Sequence, residues 1–138
     1  MKGILLISHF DLASGTLNAA KLIFGDQLSQ IEAIGLSMQD NAENFTNRLK
    51  VALARLDTGD GVIILADLLG GTPCNCAAPL IGGKIRMLTG LNLPLLLEVL
   101  CERQTSDFEN IGNLLDRVRR SIQEYSTNEP DTEYNEII

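Results

Sequence analysis

Short, wholly apolar segments alternate along this chain with segments whose apolar residues recur at helical spacing. Residues 3–7 and 62–66 are continuous runs of β-prone residues, a pattern typical of parallel strands covered on both faces. Two further short segments, Ile31–Leu36 and Ile85–Thr89, also predict strands. Strands that alternate with helices pair in parallel through right-handed crossovers. The alternation therefore predicts an α/β fold.

Helices are predicted between these strands and after the last one. Asp40 and Glu43 have the spacing of a capping box at the start of the second helix, and Thr72 followed by Pro73 predicts the start of the third. The other helices are predicted at residues 14–24, 94–103 and 107–125. The second helix should bury Phe45, Leu49, Ala52, Leu53 and Leu56, and the last should bury Ile111, Leu114, Leu115, Val118 and Ile122.

We expect an open, doubly wound, mostly parallel sheet with strand order 2-1-3-4 and helices on both faces. In this order the chain reverses direction across the sheet between strands one and three, and such folds bind ligands in the crevice there. His9 follows the first strand and Asp67 follows the third, so the fold should bring them together. Residues 1–125 form one predicted domain, and residues 126–138 form an acidic tail.

Composition limits the classes of function. The chain has 138 residues, 45% of them apolar, and a net charge of −7. An acidic domain without a basic stripe should not bind nucleic acid. Cys74 and Cys76 lack a second ligand pair, so we expect no metal site and reduced, buried thiols. The apolar N-terminal segment leads into Ser8-His9 without a small-residue cleavage site, which favours a strand over a signal peptide and predicts a cytoplasmic protein.

His9 is the only histidine of the chain. A carboxylate that accepts one ring N–H fixes the imidazole tautomer and leaves the other nitrogen free as a base or a nucleophile. A small hydrolase would need a hydroxyl partner, for which Ser8, Ser14 and Thr72 are candidates, although no nucleophile elbow is present. A surface histidine without chemistry is the simplest alternative.

The segment Gly70-Gly71-Thr72-Pro73 follows Asp67 closely. Glycines allow the backbone to approach a ligand, and a helix N-terminus favours an anion. Taken alone, the segment favours the simpler interpretation of a tight turn with a cap. Together with His9 and Asp67 it suggests a phosphoryl group carried on His9. No Walker A or dinucleotide pattern is present, so no nucleotide or other cofactor is expected.

Several motifs in order resemble the enzyme IIA component of the mannose-type (mannose/fructose/sorbose) sugar phosphotransferase system. The resemblance spans about residues 2–105. Its marks are the strand ending in Ser8-His9, Leu56-Asp57-Thr58 before Gly61-Val62, Asp67 followed by Gly70-Gly71-Thr72-Pro73-Cys74-Asn75, and Gly90-Leu91-Asn92-Leu93-Pro94.

The resemblance implies specific roles and partners. His9 would accept a phosphoryl group from the histidine-containing phosphocarrier protein and pass it to the IIB component, which phosphorylates a sugar entering through a membrane permease. Asp67 would orient the histidine, and Thr72, with Gly70 and Gly71, would hold the phosphoryl group. Such a protein is a phosphotransferase with a transient phosphohistidine. The permease selects the sugar, so the sequence of this chain does not predict which sugar is transported.

The family is usually a homodimer that exchanges C-terminal segments, and residues 134–138 include the apolar side chains needed for an added antiparallel strand. Two features depart from the family pattern: Phe10 stands where glycine usually follows the histidine, and the C-terminal region lacks a glycine-containing pattern. Two related functions stay open. One is a IIA-like phosphocarrier subunit of a dihydroxyacetone kinase system, and the other is a non-catalytic regulatory subunit.

Overall fold

The computed structural model describes residues 1–104 and 108–127 of the chain. Its centre is a parallel sheet with strand order β2-β1-β3-β4. The strands are β1 (Gly3–His9), β2 (Ile31–Leu36), β3 (Val62–Ala66) and β4 (Ile85–Thr89). This confirms the predicted α/β class, the parallel pairing and the strand order.

The helices are α1 (Leu12–Phe24), α2 (Ala42–Leu56), α3 (Thr72–Ala77), α4 (Leu93–Glu102) and α5 (Ile111–Arg120). A 3₁₀ turn, Ala78–Leu80, continues α3, so the third predicted helix changes its winding before residue 81. Each crossover between neighbouring strands of the sheet runs through one or more of these helices, as parallel pairing requires.

Two apolar layers cover the sheet, because successive side chains of a strand point to opposite faces. On one face the sheet packs against α1, α4 and α5, and on the other it packs against α2 and α3. The first layer includes Ile4, Leu6, Ile63, Leu65, Leu96 and Phe108. The second layer includes Leu5, Ile7, Ile64, Phe45, Leu49 and Leu53. Helices on both faces are therefore confirmed.

The predicted cap of α2 is wrong by one residue. Asn41, not Asp40, caps the helix: its side chain accepts the N–H of Asn44, and the Asn44 side chain accepts the N–H of Asn41. Asp40 is engaged elsewhere, because its carboxylate accepts the backbone N–H of Ser37 at 2.7 Å. Helix α1 also begins earlier than predicted, at Leu12 instead of residue 14.

The last helix is shorter than predicted. Helix α5 spans Ile111–Arg120, and Ile122, which was expected to pack inward, lies beyond its end with 76% of its surface exposed. Leu114 and Val118 are buried as predicted. Asp107, the predicted helix start, lies outside the described residues.

Most of the acidic tail also lies outside the described residues, so the division at residue 125 and the exchanged strand at 134–138 stay predictions. Within the part of the chain that the structure describes, no helix is long and apolar enough to span a bilayer.

Candidate active site

Strands β1 and β3 are neighbours, and their carboxyl ends place His9 beside Asp67. Ile7 pairs with Ala66 in register, and the backbone N–H of Asp67 donates to the carbonyl of Ile7 at 3.1 Å. The predicted juxtaposition at the reversal of the strand order is confirmed.

One oxygen of Asp67 contacts His9 twice. Its Oδ2 accepts the backbone N–H of His9 at 2.9 Å and lies 2.7 Å from the imidazole Nδ1. An ionised carboxylate can only accept hydrogen bonds, so Nδ1 carries the proton of this contact. The other ring nitrogen, Nε2, makes no hydrogen bond within the described residues and keeps its lone pair in the neutral imidazole.

The two side chains differ in exposure. The imidazole of His9 is 45% exposed, whereas the Asp67 carboxylate is 9% exposed. Burial alone raises the pKa of Asp67, but hydrogen bonds from the backbone and ring of His9, together with the charge of that ring, outweigh the burial and hold the pKa below its usual 3.8. Asp67 is therefore ionised at neutral pH. The solvent-facing imidazole of His9 is hydrogen-bonded on its inner side to a buried carboxylate.

The turn after Asp67 approaches the imidazole closely. Gly70 has φ +83°, a conformation that favours glycine. A Cβ on Gly71 would lie 2.9 Å from His9 Cε1, so no larger side chain fits beside the ring as it stands. The Asn75 side chain donates to the carbonyl of Gly70 at 3.0 Å and ties the turn to α3. The sequence motif includes Asn75, but the hydrogen bond by which Asn75 ties the turn to α3 is not predicted from it.

Thr72 is not the cap that was predicted. Gly71 occupies the N-cap position, and Thr72 is the first residue of α3. The Thr72 hydroxyl makes no hydrogen bond within the described residues, so it is free to donate. Pro73 lies in the first turn of α3, as predicted.

The turn after His9 is held by a residue whose role the sequence did not reveal. The buried hydroxyl of Ser8 donates to the carbonyl of Phe10 at 3.1 Å and accepts the N–H of Ala13 at 2.8 Å. The hydroxyl of Ser14 donates to the carbonyl of Asp11. Two of the three hydroxyls considered for a hydrolase are thus occupied in backbone contacts, which weakens that alternative.

Phe10 has φ +48°, in the left-handed region that bulky residues rarely adopt. Its backbone also approaches the neighbouring strand: a Cβ on Gly35 would lie 2.0 Å from the Phe10 carbonyl oxygen. A lone glycine within a strand often marks such an approach, so Gly35 was detectable from the sequence, although its partner was not.

The cysteines and the carboxylates form no metal-binding cluster in the described part of the chain. Cys74 and Cys76 are buried free thiols, as expected, and Cys101 is exposed. No group of three or more His, Cys, Asp or Glu side chains there is arranged to hold a metal ion.

Comparison with known proteins identifies the family. The model of the EIIA-man family, described as PTS system fructose IIA component, matches residues 3–118. The chain belongs to this family. IIA components of the mannose type are phosphotransferase proteins of sugar uptake, so membership supports a general role in phosphoryl transfer.

Named relatives and a solved structure agree with this membership. The chain is 30% identical over 117 residues to the fructose-specific EIIA component of Bacillus subtilis, covering 83% of this chain and 80% of the relative. It is 32% identical over 102 residues to the mannose-specific EIIAB component of Escherichia coli K12, covering 72% of this chain but only 31% of that longer protein. The structure matches the IIA protein associated with the fucose utilization operon of Streptococcus pneumoniae with a TM-score of 0.82, at 30% identity, over 89% of this chain and 92% of that one.

Proposed function

We propose that this IIA component carries a phosphoryl group on Nε2 of His9 between two proteins of a sugar phosphotransferase system. The donor is the histidine-containing phosphocarrier protein, and the transfer takes place in the cytoplasm. The acceptor is the IIB component, which phosphorylates the sugar that enters through a membrane permease. The observation that carries the proposal is the 2.7 Å contact between His9 Nδ1 and Asp67 Oδ2, which leaves Nε2 as the available nitrogen.

In the proposed step, the Nε2 lone pair attacks the phosphorus of the donor's phosphohistidine. A P–N bond forms on His9 as the donor's P–N bond breaks, and the donor nitrogen keeps that electron pair. The imidazole of His9 gains positive charge while its Nδ1–H stays bonded to Asp67. The buried carboxylate stabilises this charge, as the aspartate of a catalytic triad stabilises an imidazolium.

The turn beside the ring supports the proposed binding of the phosphoryl oxygens. Gly71 lies against Cε1, the carbon next to Nε2, and the first N–H groups of α3 have no acceptor within the helix. The Thr72 hydroxyl adds a further donor. Phosphoryl transfer depends largely on positioning and on charge stabilisation, which such donors supply.

Incubation with phosphoenolpyruvate and the general phosphocarrier proteins, followed by intact-mass measurement, tests the proposal. We expect a gain of one phosphoryl group, which is lost again when the cognate IIB protein is added. Transfer to dihydroxyacetone kinase subunits instead of IIB would identify the kinase alternative. A wild-type chain that gains no phosphoryl group would point to the regulatory alternative.

A further inference from the structure

An exposed aromatic residue directly follows His9 in the chain. Phe10 is 56% exposed, and its φ of +48° places it in a conformation that glycine or asparagine adopts more readily. A large apolar side chain in this conformation is uncommon and strained. Packing against the described residues offsets little of that strain, because more than half of the surface of Phe10 is exposed.

Several contacts hold the strained turn in place. The backbone N–H of Phe10 donates to the carbonyl of Leu36 at 2.8 Å, and the Phe10 carbonyl accepts the hydroxyl of buried Ser8. Gly35 leaves the space that this carbonyl occupies. The backbone of Phe10 is therefore fixed on both sides, and its exposed ring extends from the turn that directly follows His9.

Other exposed apolar side chains surround the same edge of the sheet. Leu12 begins α1, two residues after Phe10, and Leu68 and Leu69 follow Asp67. All three are substantially exposed. Leu68 lies close to the histidine, because a Cβ on Gly71 would be 3.4 Å from Leu68 Cβ and 2.9 Å from His9 Cε1. We call Phe10, Leu12, Leu68 and Leu69 the apolar rim.

We infer that Phe10 is a specificity-determining residue that contacts the protein donating the phosphoryl group. The inference rests on the proposed function. For transfer, the donor's phosphorus must reach bonding distance of His9 Nε2, so the donor's surface must cover the residues that flank this imidazole. Phe10 adjoins His9 in the chain and forms part of the apolar rim, and it therefore becomes buried in that complex.

A buried aromatic anchor would contribute in two ways. Large aromatic side chains supply much of the binding energy at protein interfaces, particularly where neighbouring residues exclude water. The apolar rim would also keep water from the reacting phosphorus, which limits hydrolysis during transfer. Glycine at this position would give the turn its backbone conformation without either contribution.

Two variants distinguish the contribution of the Phe10 ring from that of its backbone conformation. Phe10→Gly removes both the ring and the strain, whereas Phe10→Asn removes the ring but keeps a residue that tolerates the left-handed region. Leu22→Ala is the matched control, because Leu22 is 90% exposed and lies ten residues beyond Leu12 in α1, about 15 Å along the helix axis. Each protein is tested with two phosphoryl donors: the phosphorylated phosphocarrier protein, and phosphoramidate, a small compound with a P–N bond.

We expect both Phe10 variants to raise KM for the donor protein by about tenfold, with rates from phosphoramidate within about twofold of wild type and with unfolding temperatures not lowered. Leu22→Ala should match wild type with both donors. An unchanged KM for the donor protein would overturn the inference, even if transfer to the acceptor changed. Equal slowing with both donors would also overturn it, since Phe10 would then act only by shaping the turn. A wild-type chain that accepts phosphate from neither donor would refute the proposed function itself.

Discussion

The backbone N–H and the imidazole of His9 share a single oxygen of Asp67, at 2.9 and 2.7 Å. The main chain and the ring of the histidine are thus positioned by one buried group that follows the neighbouring strand. Rotation of the ring would break the second bond without breaking the first. The orientation of the imidazole is therefore the property most sensitive to changes at Asp67.

Asp67→Asn should fold and lose transfer rate. The amide can still accept the backbone N–H of His9, but it cannot stabilise positive charge on the imidazole. We expect phosphorylation to slow by about 10²- to 10⁴-fold, measured by single-turnover quench. Asp40→Asn is the control, because Asp40 also accepts a backbone N–H near the end of a strand but contacts no histidine. A rate equal to wild type in Asp67→Asn would remove the proposed role of the carboxylate.

The contribution of Asp67 to stability should depend on pH with a defined sign. The pKa of Asp67 in the folded protein lies below its usual 3.8, so near these pKa values Asp67 binds fewer protons in the folded protein than in the unfolded chain. The contribution is complete above pH 3.8 and is lost as the pH falls through the lower, folded pKa. Urea unfolding of wild type and Asp67→Asn should therefore give a difference in unfolding free energy that is constant near neutral pH and shrinks at acid pH. A difference that grows on acidification would contradict this sign.

Gly71→Ala should affect the rate of phosphorylation, whereas Gly70→Ala should affect the stability of the fold. Gly71 has φ −75°, which alanine adopts freely, but its Cβ would lie 2.9 Å from His9 Cε1 and displace the ring. Gly70 has φ +83° in open space. We expect Gly71→Ala to slow phosphorylation with little loss of stability. Gly70→Ala should lose about 1 kcal/mol of unfolding free energy and contact no atom of His9. Thermal unfolding and single-turnover rates measured on both variants distinguish these outcomes, and a fully active Gly71→Ala would show that the close approach is dispensable.

Gly35→Ala should be strongly destabilising. The new Cβ would lie 2.0 Å from the carbonyl oxygen of Phe10, and both backbones are fixed by the sheet and the turn. We expect a loss of about 2–4 kcal/mol in unfolding free energy. Gly15→Ala is the control, because Gly15 lies within α1 with no atom within 4 Å of its Cβ position, and it should gain about 0.5–1 kcal/mol. Similar unfolding midpoints for the two variants would contradict the account of the turn.

Homodimerisation stays a prediction, since its proposed strand at residues 134–138 lies outside the described residues. In the described part, β4 ends the sheet and pairs only with β3. We expect light scattering to give a dimer mass at micromolar concentration, and removal of residues 126–138 to give a monomer if the segment is exchanged. A monomer mass for the intact chain would refute the dimer.

The sequence predicted the parts of the fold that depend on local apolar pattern. Strands β2, β3 and β4 match their predicted bounds, because short, mainly apolar runs between turn residues allow few alternatives. The proximity of His9 and Asp67 followed from the strand order and from the position of each residue at the end of its strand. The cap of α2 was missed because Asp40 and Asn41 are both good caps, and the choice depends on the bond between Asp40 and Ser37.

The turn around Phe10 could not be predicted from local pattern. Its left-handed conformation depends on the bond of Phe10 to Leu36 and on the space at Gly35. Both follow from the register between β1 and β2, which no motif specifies. The inward packing predicted for Ile122 failed for a related reason: helical spacing continued in the sequence beyond the residue at which α5 ends.

The central claim is that His9 alone carries the phosphoryl group. Wild type and His9→Ala are each incubated with phosphoenolpyruvate and the general phosphocarrier proteins, and their intact masses are measured before and after brief acid treatment. His9→Ala should fold, because the imidazole is 45% exposed and adds little to the core. We expect one phosphoryl group on wild type, lost in acid and stable in base, and none on His9→Ala. A phosphorylated His9→Ala, or a wild-type label that survives acid, would contradict it.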